Sequence, residues 1–448
     1  MAGLIYTPPG SEKTLFDRIF TAIQRAFGPL FLLHWTFERV CVVFPFETAL
    51  RLWYHLDPKL YSERARIRRL TAGAVTRKGD RFVLLVLYVR SSIPPYTQTL
   101  LDAVARSRLN LVISTNAKIT DELRERLRAQ CCLLIERADL GRDFGGYKDG
   151  ISIIEKRFGT PQRLILLNDS LFYFERGLDE CLARLDGDDD LIGMTEVLEF
   201  HYHIGSFALS FGQRVLKDRR FRRYWQRYRP VSTRQWSIHH GEVGLTKVLM
   251  RAGFQPTILY HGAQLLPFFE KQRVRDFLEA VRLLPTEYRR RLYGEFDDVH
   301  NNQTNRSLDA IGTLSKSIWR LGRQKEPLHV DLRAANVQEM LEINRLTAST
   351  QLDRDNWVVK TLGHRVVSAI MRRNQMHAGC FLFMRYLGMP VMKRDLFYRE
   401  VFRLEEVEDF LTQSQEPLKD EVAAHLRQKG SQKYLRGLAS VLVRHGAI

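Results

Sequence analysis

The chain has 448 residues, 45% hydrophobic and 27% charged, ordinary globular proportions that exclude a wholly disordered or low-complexity chain. At about 100–200 residues per domain, this length suggests two or three domains. With 69 Lys and Arg against 51 Asp and Glu, the formal charge is +18. That balance suits a polyanionic partner: nucleic acid, an anionic membrane face or a phosphorylated substrate.

The N-terminus has no basic segment followed by an apolar core, so no signal peptide is expected. Residues 11 to 75 read as helical, with Leu15, Phe16, Ile19, Phe20, Ile23 and Phe27 at helical spacing. A dense aromatic and aliphatic stretch from Phe31 to Tyr54 follows, with Arg25, Arg39 and Arg51 interleaved. It fits either a helix pair packed on the main domain or an interfacial element with aromatics at the headgroup level. The longest uncharged run, Ala26 to Phe37, falls short of the ~20 residues that a spanning helix needs.

From Arg81 the pattern changes to short apolar runs alternating with helices. Strands are predicted at Phe82–Tyr88, Leu109–Ile113, Cys132–Ile135 and Leu164–Leu167, with helices at Tyr96–Arg106, Asp121–Gln130 and Gly150–Phe158. Such alternation implies βαβ units, a parallel sheet, and a ligand at the carboxyl ends of its strands. Three polar clusters fall at those ends: 114–116, 139–143 and 168–170. Further strands are predicted at Leu191–Met194 and Phe207–Phe211, then a basic aromatic helix at Phe221–Tyr228. Beyond residue 270 the pattern is mostly helical, at Val274–Leu284, Tyr288–Leu292, Val337–Leu346 and Tyr434–Arg444. Cys41, Cys131, Cys132, Cys181 and Cys380 show no zinc-ligand spacing and read as reduced core thiols of a cytosolic protein.

Five segments carry candidate chemistry. Asn168-Asp169-Ser170, ending a buried strand, offers hard oxygen ligands for Mg²⁺ or Mn²⁺ against a diphosphate; Asp169 or Ser170 would equally serve as an N-cap. The stretch Gly141-Arg142-Asp143-Phe144-Gly145-Gly146-Tyr147-Lys148-Asp149-Gly150 reads as a glycine-rich turn entering a helix. Its backbone suits close approach to an anion, and Arg142 either meets a phosphate or pairs with Asp143. It is neither a P-loop nor a GxGxxG fingerprint. His201 and His203 suit hydrogen bonding better than metal binding. Glu242, at the start of a helix, fits a general base or the ordinary preference of acids for helix N-termini. The basic run Arg219–Arg229 is either a solvated helix face or a nucleic-acid or membrane contact.

Taken in order, four blocks resemble the rhamnan synthesis protein F family of bacterial polysaccharide glycosyltransferases. They are Gly141–Gly150; Leu166-Leu-Asn-Asp-Ser170; His203-Ile-Gly-Ser-Phe207 leading to Phe211; and Glu242-Val-Gly-Leu245 followed by Gly253-Phe254. Asn302-Gln-Thr304 and Gly388-Met-Pro-Val-Met-Lys393 are also similar to family features, so the likeness covers residues 80 to 400. The chain departs from the pattern at Gly205, where a larger polar residue is expected, and at Asn305, where His is expected.

The resemblance implies a GT-A-like nucleotide-sugar fold with Asn168-Asp169-Ser170 in place of the metal-binding Asp-x-Asp motif. It implies transfer of a sugar, often rhamnose, to a growing surface polysaccharide or lipid-linked glycan such as lipopolysaccharide. The expected architecture is α/β: a mostly parallel sheet flanked by helices. A helical, possible membrane-apposed region would span 1–78, a catalytic domain 79–268 and a mostly helical region 269–448. Asp169 would hold the metal ion and Glu242 deprotonate the acceptor. Gly141, Arg142, Asp143, Gly145, Gly146, Asn168 and Ser170 would bind the donor, with His203 and Ser206 on the acceptor side. The expected location is cytoplasmic, peripheral on the inner face of the membrane. The competing reading is a non-catalytic basic protein binding anionic membrane or nucleic acid, or a transferase-like scaffold in a glycan-assembly complex.

Overall fold

The computed structural model describes residues 62–198, 201–286, 351–399 and 401–430, with a few isolated positions before residue 62 and at Tyr288 and Arg289. The N-terminal aromatic stretch and the segments expected at 302–304, 337–346 and 434–444 lie outside the described residues. The described chain falls into two compact units. One holds the residues up to Glu196, those from 201 to Leu259 and those from Pro390 onward; the other holds Val197, Leu198 and Tyr260 to Met389.

The first unit is built on twelve short strands: β1 (Ile67–Ala72), β2 (Arg81–Leu87), β3 (Asn110–Thr115), β4 (Leu133–Arg137), β5 (Arg163–Asn168), β6 (Leu171–Tyr173), β7 (Leu191–Gly193), β8 (Glu196–Val197), β9 (His203–Ile204), β10 (Ala208–Gly212), β11 (Thr257–Ile258) and β12 (Val391–Lys393), β8 reaching its edge. Eight of them form one sheet in the order β1-β4-β3-β2-β5-β10-β7-β11. Pairings β2·β3, β3·β4, β2·β5 and β7·β11 are parallel. Those of β1 with β4, and of β10 with β5 and β7, are antiparallel. The sheet is thus mostly parallel and flanked by helices, as expected.

The central strands read Arg-Phe-Val-Leu-Leu-Val-Leu, Asn-Leu-Val-Ile-Ser-Thr and Arg-Leu-Ile-Leu-Leu-Asn, buried along almost their whole length. Near-continuous β-branched and aliphatic runs are what a parallel strand covered on both faces requires. Each fully buried Leu, Ile, Val or Phe contributes about 1.5–3 kcal/mol, so this core dominates stability. Parallel crossovers carry the chain from β2 outward to β3 and β4, and then back to β5 on the other side of β2. The strand order therefore reverses between β2 and β5, the position where open α/β sheets form a ligand crevice.

Two expectations are corrected. Residues 67–72, inside the stretch read as helical, form the edge strand β1; the adjacent, exposed Arg68 and Arg69 keep the edge solvated. The glycine-rich segment is helix rather than a turn: α1 (Arg142–Phe158) starts at Arg142. Glycine is tolerated there because the helix lies close on the sheet. A Cβ at Gly146 would stand 2.7 Å from the Val86 side chain, and one at Gly150 would stand 2.5 Å from Leu84. The missing side chains set the helix–strand distance.

In the second unit, Gln351–Met371 and Cys380–Leu387 are helices, and the Gly262 N–H donates to Gln375 Oε1 at 2.8 Å. Cys131, Cys132, Cys181 and Cys380 are free thiols, and burial pushes Cys131 up to about 12 and Cys132 up to about 11.

Candidate functional site

The carboxyl ends of β2, β3 and β5 bring together the polar groups expected there. The Asp169 N–H donates to the Val86 carbonyl at 3.2 Å, extending the β2·β5 pairing by one residue. The Tyr88 N–H donates to Asp169 Oδ2 at 2.8 Å, so this carboxylate sits across the reversal of strand order. Asn168 Nδ2 donates to Asp143 Oδ2 at 3.0 Å, and Asn168 Oδ1 accepts from the Ser170 N–H at 3.0 Å and its hydroxyl at 2.6 Å. Asn168, Asp143 and Ser170 form one hydrogen-bonded cluster beside Asp169.

Helix α1 places Asp143 there. Its entry is constrained: Gly141 has φ +78°, and a Cβ on it would lie 2.5 Å from the Pro230 Cα. Arg142 also takes a left-handed φ of 51°, a cost borne by a non-glycine residue and characteristic of functional loops. Asn116 Nδ2 donates to the Arg142 carbonyl at 3.2 Å and holds that conformation. The Arg142 guanidinium is exposed and makes no ion pair with Asp143 among the described residues. Gly145 and Gly146 are buried, on the Leu140 carbonyl and the Val86 side chain respectively.

Beneath this entry lies a charge cluster that the sequence did not reveal. Asp149 is buried between Arg66, which reaches it at 2.6 Å, and Arg137 at 2.9 Å. Arg137 Nη1 also donates to Asn116 Oδ1 at 2.7 Å. The last acid of the glycine-rich motif is therefore structural. It ties α1 to Arg66, the residue before β1, and to β4 and, through Asn116, supports Arg142.

A second cluster stands on the same helix. The Tyr147 hydroxyl, one turn beyond Asp143, donates to the Ser206 carbonyl at 3.0 Å. Ser206 Oγ donates to Glu242 Oε1 at 2.5 Å, and His203 Nε2 lies 3.6 Å from Glu242 Oε2. His203 Nδ1 donates to the His201 carbonyl at 2.8 Å, so Nε2 is the ring nitrogen that faces the acid. Glu242 closes a π-helical turn, Ser237–Glu242. Such turns recur at functional sites. Gly241 passes the Phe144 ring where a Cβ would lie 2.7 Å away. The expected base Glu242 and the two residues expected on the acceptor side, His203 and Ser206, are thus in contact.

The cations come from far along the chain. Strand β12 pairs antiparallel with β6, setting Lys393 opposite Leu171. Lys393 Nζ donates to Ser170 Oγ at 3.1 Å. Arg394 donates to the Asp169 carbonyl and lies 3.8 Å from Asp169 Oδ2. Its guanidinium rests over the Tyr96 ring at 5.4 Å and bonds His425 Nε2 at 3.1 Å. Burial, with Arg394 and Lys429 adding repulsion, holds His425 down at about 4, so it accepts as a neutral ring. Lys393 closes a segment noted for its family likeness, but nothing in the sequence located it opposite β6.

Burial raises both site carboxyls, Asp143 to about 6. The Arg142 charge opposes the rise at Asp143, while Asp169 and Glu242 add to it. At Asp169, Arg394 opposes it.

Residues 111–271 match the rhamnan synthesis protein F family. The matched segment holds Asn116, the α1 motif, Asn168-Asp169-Ser170, His203, Ser206 and Glu242, and ends before Lys393 and Arg394. An uncharacterized protein of Sinorhizobium fredii (strain NBRC 101917 / NGR234) is 30% identical over 212 residues, 46% of this chain and 55% of that protein. The chain thus spans about half the length of the curated relative it matches. Among solved structures, a protein described as a nucleotide-diphospho-sugar transferase from Desulfovibrio desulfuricans G20 overlaps with a TM-score of 0.25 and 12% identity, over 39% of this chain and 78% of that one. No helix among the described residues is long and apolar enough to cross a membrane.

Proposed function

We propose that the chain is a glycosyltransferase moving a sugar from a nucleotide-diphosphate donor to a growing surface polysaccharide or lipid-linked glycan, with rhamnose as the family-suggested sugar. The observation that carries this reading is the pairing on α1 of two clusters, the Asp143–Asn168–Asp169–Ser170 carboxylate cluster and the Glu242–Ser206–His203 acid–base cluster.

The oxygen donors of the first cluster suit a hard divalent ion. Asp169 Oδ2 is taken by the Tyr88 N–H and faces Arg394, which leaves Oδ1. Burial raises both carboxyls, and at Asp143 the Asp169 charge adds to the rise against Arg142 and Lys393, an arrangement that added positive charge would relieve. Among the described residues no three His, Cys, Asp or Glu groups converge. A Mg²⁺ or Mn²⁺ ion there would take one or two carboxylates and complete its shell with phosphate oxygens and water. Asp169 and Asp143 would hold it, and when bound it would supply Lewis-acid charge to the leaving diphosphate.

The chain's own groups do the rest. Arg142, exposed and held in its left-handed conformation, and Lys393 meet the phosphates. Ser206 fixes Glu242 through Oε1, leaving Oε2 to take the acceptor hydroxyl proton. As that O–H bond breaks, the oxygen bonds the sugar's anomeric carbon. The bond from that carbon to the phosphate oxygen breaks, and its electron pair leaves with the nucleotide diphosphate. This inverts the anomeric centre. His203 Nε2, facing Glu242, can then relieve it of the proton.

Titrating a panel of nucleotide diphosphates with and without Mn²⁺ into wild type and Asp169→Ala tests the reading. The expected result is metal-dependent binding of one nucleotide, lost in the variant together with transfer. Wild-type binding in Asp169→Ala would remove the metal assignment. No nucleotide binding by the wild type would remove the transferase.

A further inference from the structure

Behind the turn that carries Glu242 lies a cavity of about 680 Å³. Its size is within the range of about 300–1,000 Å³ usual for small-molecule sites. One wall is the helix Arg219–Arg227, here α2, whose Phe221 and Trp225 are buried on the opposite face. Arg223 and Arg227 of α2 and Arg251 are exposed at its rim, and none of the lining residues is acidic. Arg222, on the same helix but outside the cavity, is paired with Glu155 at 2.8 Å, whereas Arg223 and Arg227 have no carboxylate partner among the described residues. Like charges four residues apart on a helix repel, so the arrangement is costly without an anion. The other wall is aromatic: Trp236 lies against His240, the rings tilted by 31° with centroids 3.8 Å apart.

The cavity shares its turn with the acid–base cluster. The Tyr224 hydroxyl, a lining group, donates to the His240 carbonyl at 2.9 Å and the Gly241 carbonyl at 3.2 Å. The next residue, Glu242, turns its carboxylate the other way, to Ser206. We propose that this cavity binds the phosphate or diphosphate group of the acceptor, with guanidinium forks on the phosphate oxygens and the aromatic wall beside the attached group. The assignment rests on the transferase reading. It gives that reading an acceptor class: a glycan carried on a phosphate, either a lipid diphosphate or a soluble glycosyl phosphate.

The test titrates the full chain with inorganic pyrophosphate and with farnesyl diphosphate, by calorimetry, in wild type, Arg223→Glu/Arg227→Glu and Asp169→Ala. Both substituted arginines are exposed, and circular dichroism confirms the fold of each variant. The double variant is expected to lose at least tenfold in affinity for both probes, about 1.4 kcal/mol, while keeping nucleotide-diphosphate binding. Asp169→Ala should show the reverse. Tighter binding of farnesyl diphosphate than pyrophosphate assigns a lipid carrier, and equal binding assigns a soluble phosphorylated acceptor. Unchanged affinity in the double variant overturns the site. So does a wild type that binds RNA or phosphatidylglycerol vesicles but neither diphosphate. If the wild type binds both probes through Arg223 and Arg227 but no nucleotide diphosphate, the transferase reading fails and a phosphate site of another purpose remains.

Discussion

Asp143→Asn should make this protein more stable while disabling it. Burial lifts the Asp143 carboxyl from 3.8 to about 6, against the opposing charge of Arg142. At about 1.36 kcal/mol per pH unit, that displacement is about 3 kcal/mol. The folded chain binds this proton more tightly than the unfolded chain does. The group's contribution is therefore fully favourable below pH 3.8, declines as pH rises, and is lost above about 6. Asparagine keeps an oxygen for Asn168 Nδ2 and carries no charge to desolvate. The variant should therefore exceed wild type by about 2–3 kcal/mol at pH 8, with the gap closing toward pH 4. Urea denaturation across that range measures it, and a transfer assay should show the accompanying loss of activity. A variant no more stable than wild type at pH 8 would refute the argument, as would a gap independent of pH.

The buried charge cluster predicts a larger effect of the opposite sign. Asp149→Ala strands Arg66 and Arg137 in the core and should cost about 3–5 kcal/mol in urea denaturation; a loss below 1 kcal/mol would mean that water reaches the two guanidiniums. Glu242→Gln should lower turnover by about 10²–10⁴-fold, the usual worth of a general base, and leave nucleotide-diphosphate affinity unchanged. Loss of that affinity instead would place Glu242 on the donor side.

The parallel core was legible because its strands are continuous apolar runs, which only a two-sided burial site accepts. The direction of β10 was not, since its five residues look alike in either orientation and only the register with β5 and β7 decides. The motif at 141–150 was recognised but given the wrong local structure. Its glycines read as breakers, whereas Gly146 and Gly150 serve packing on Val86 and Leu84. Asn168, Asp143, Ser206 and Glu242 could be named as candidates from residue type and position at strand or helix ends. Arg66, Arg137 and Arg394 could not, because a chain with 69 basic residues offers no local mark for the few that the fold draws to this site.

Those long-range cations bear on what the site consists of. The segment matching the family, 111–271, supplies every carboxylate of the site but neither Lys393 nor Arg394. Both arrive through a three-residue ladder between β6 and β12, in the same compact unit as the sheet. Without that ladder, Asp169 would keep the Tyr88 N–H and lose its guanidinium neighbour, and burial would then raise its carboxyl with less to oppose it. A carboxyl raised further is a weaker phosphate-side anchor, because it spends more of its time protonated. On the proposed transferase reading the returning strand is therefore part of the donor site, and the charge balance at Asp169 depends on sequence 225 residues away.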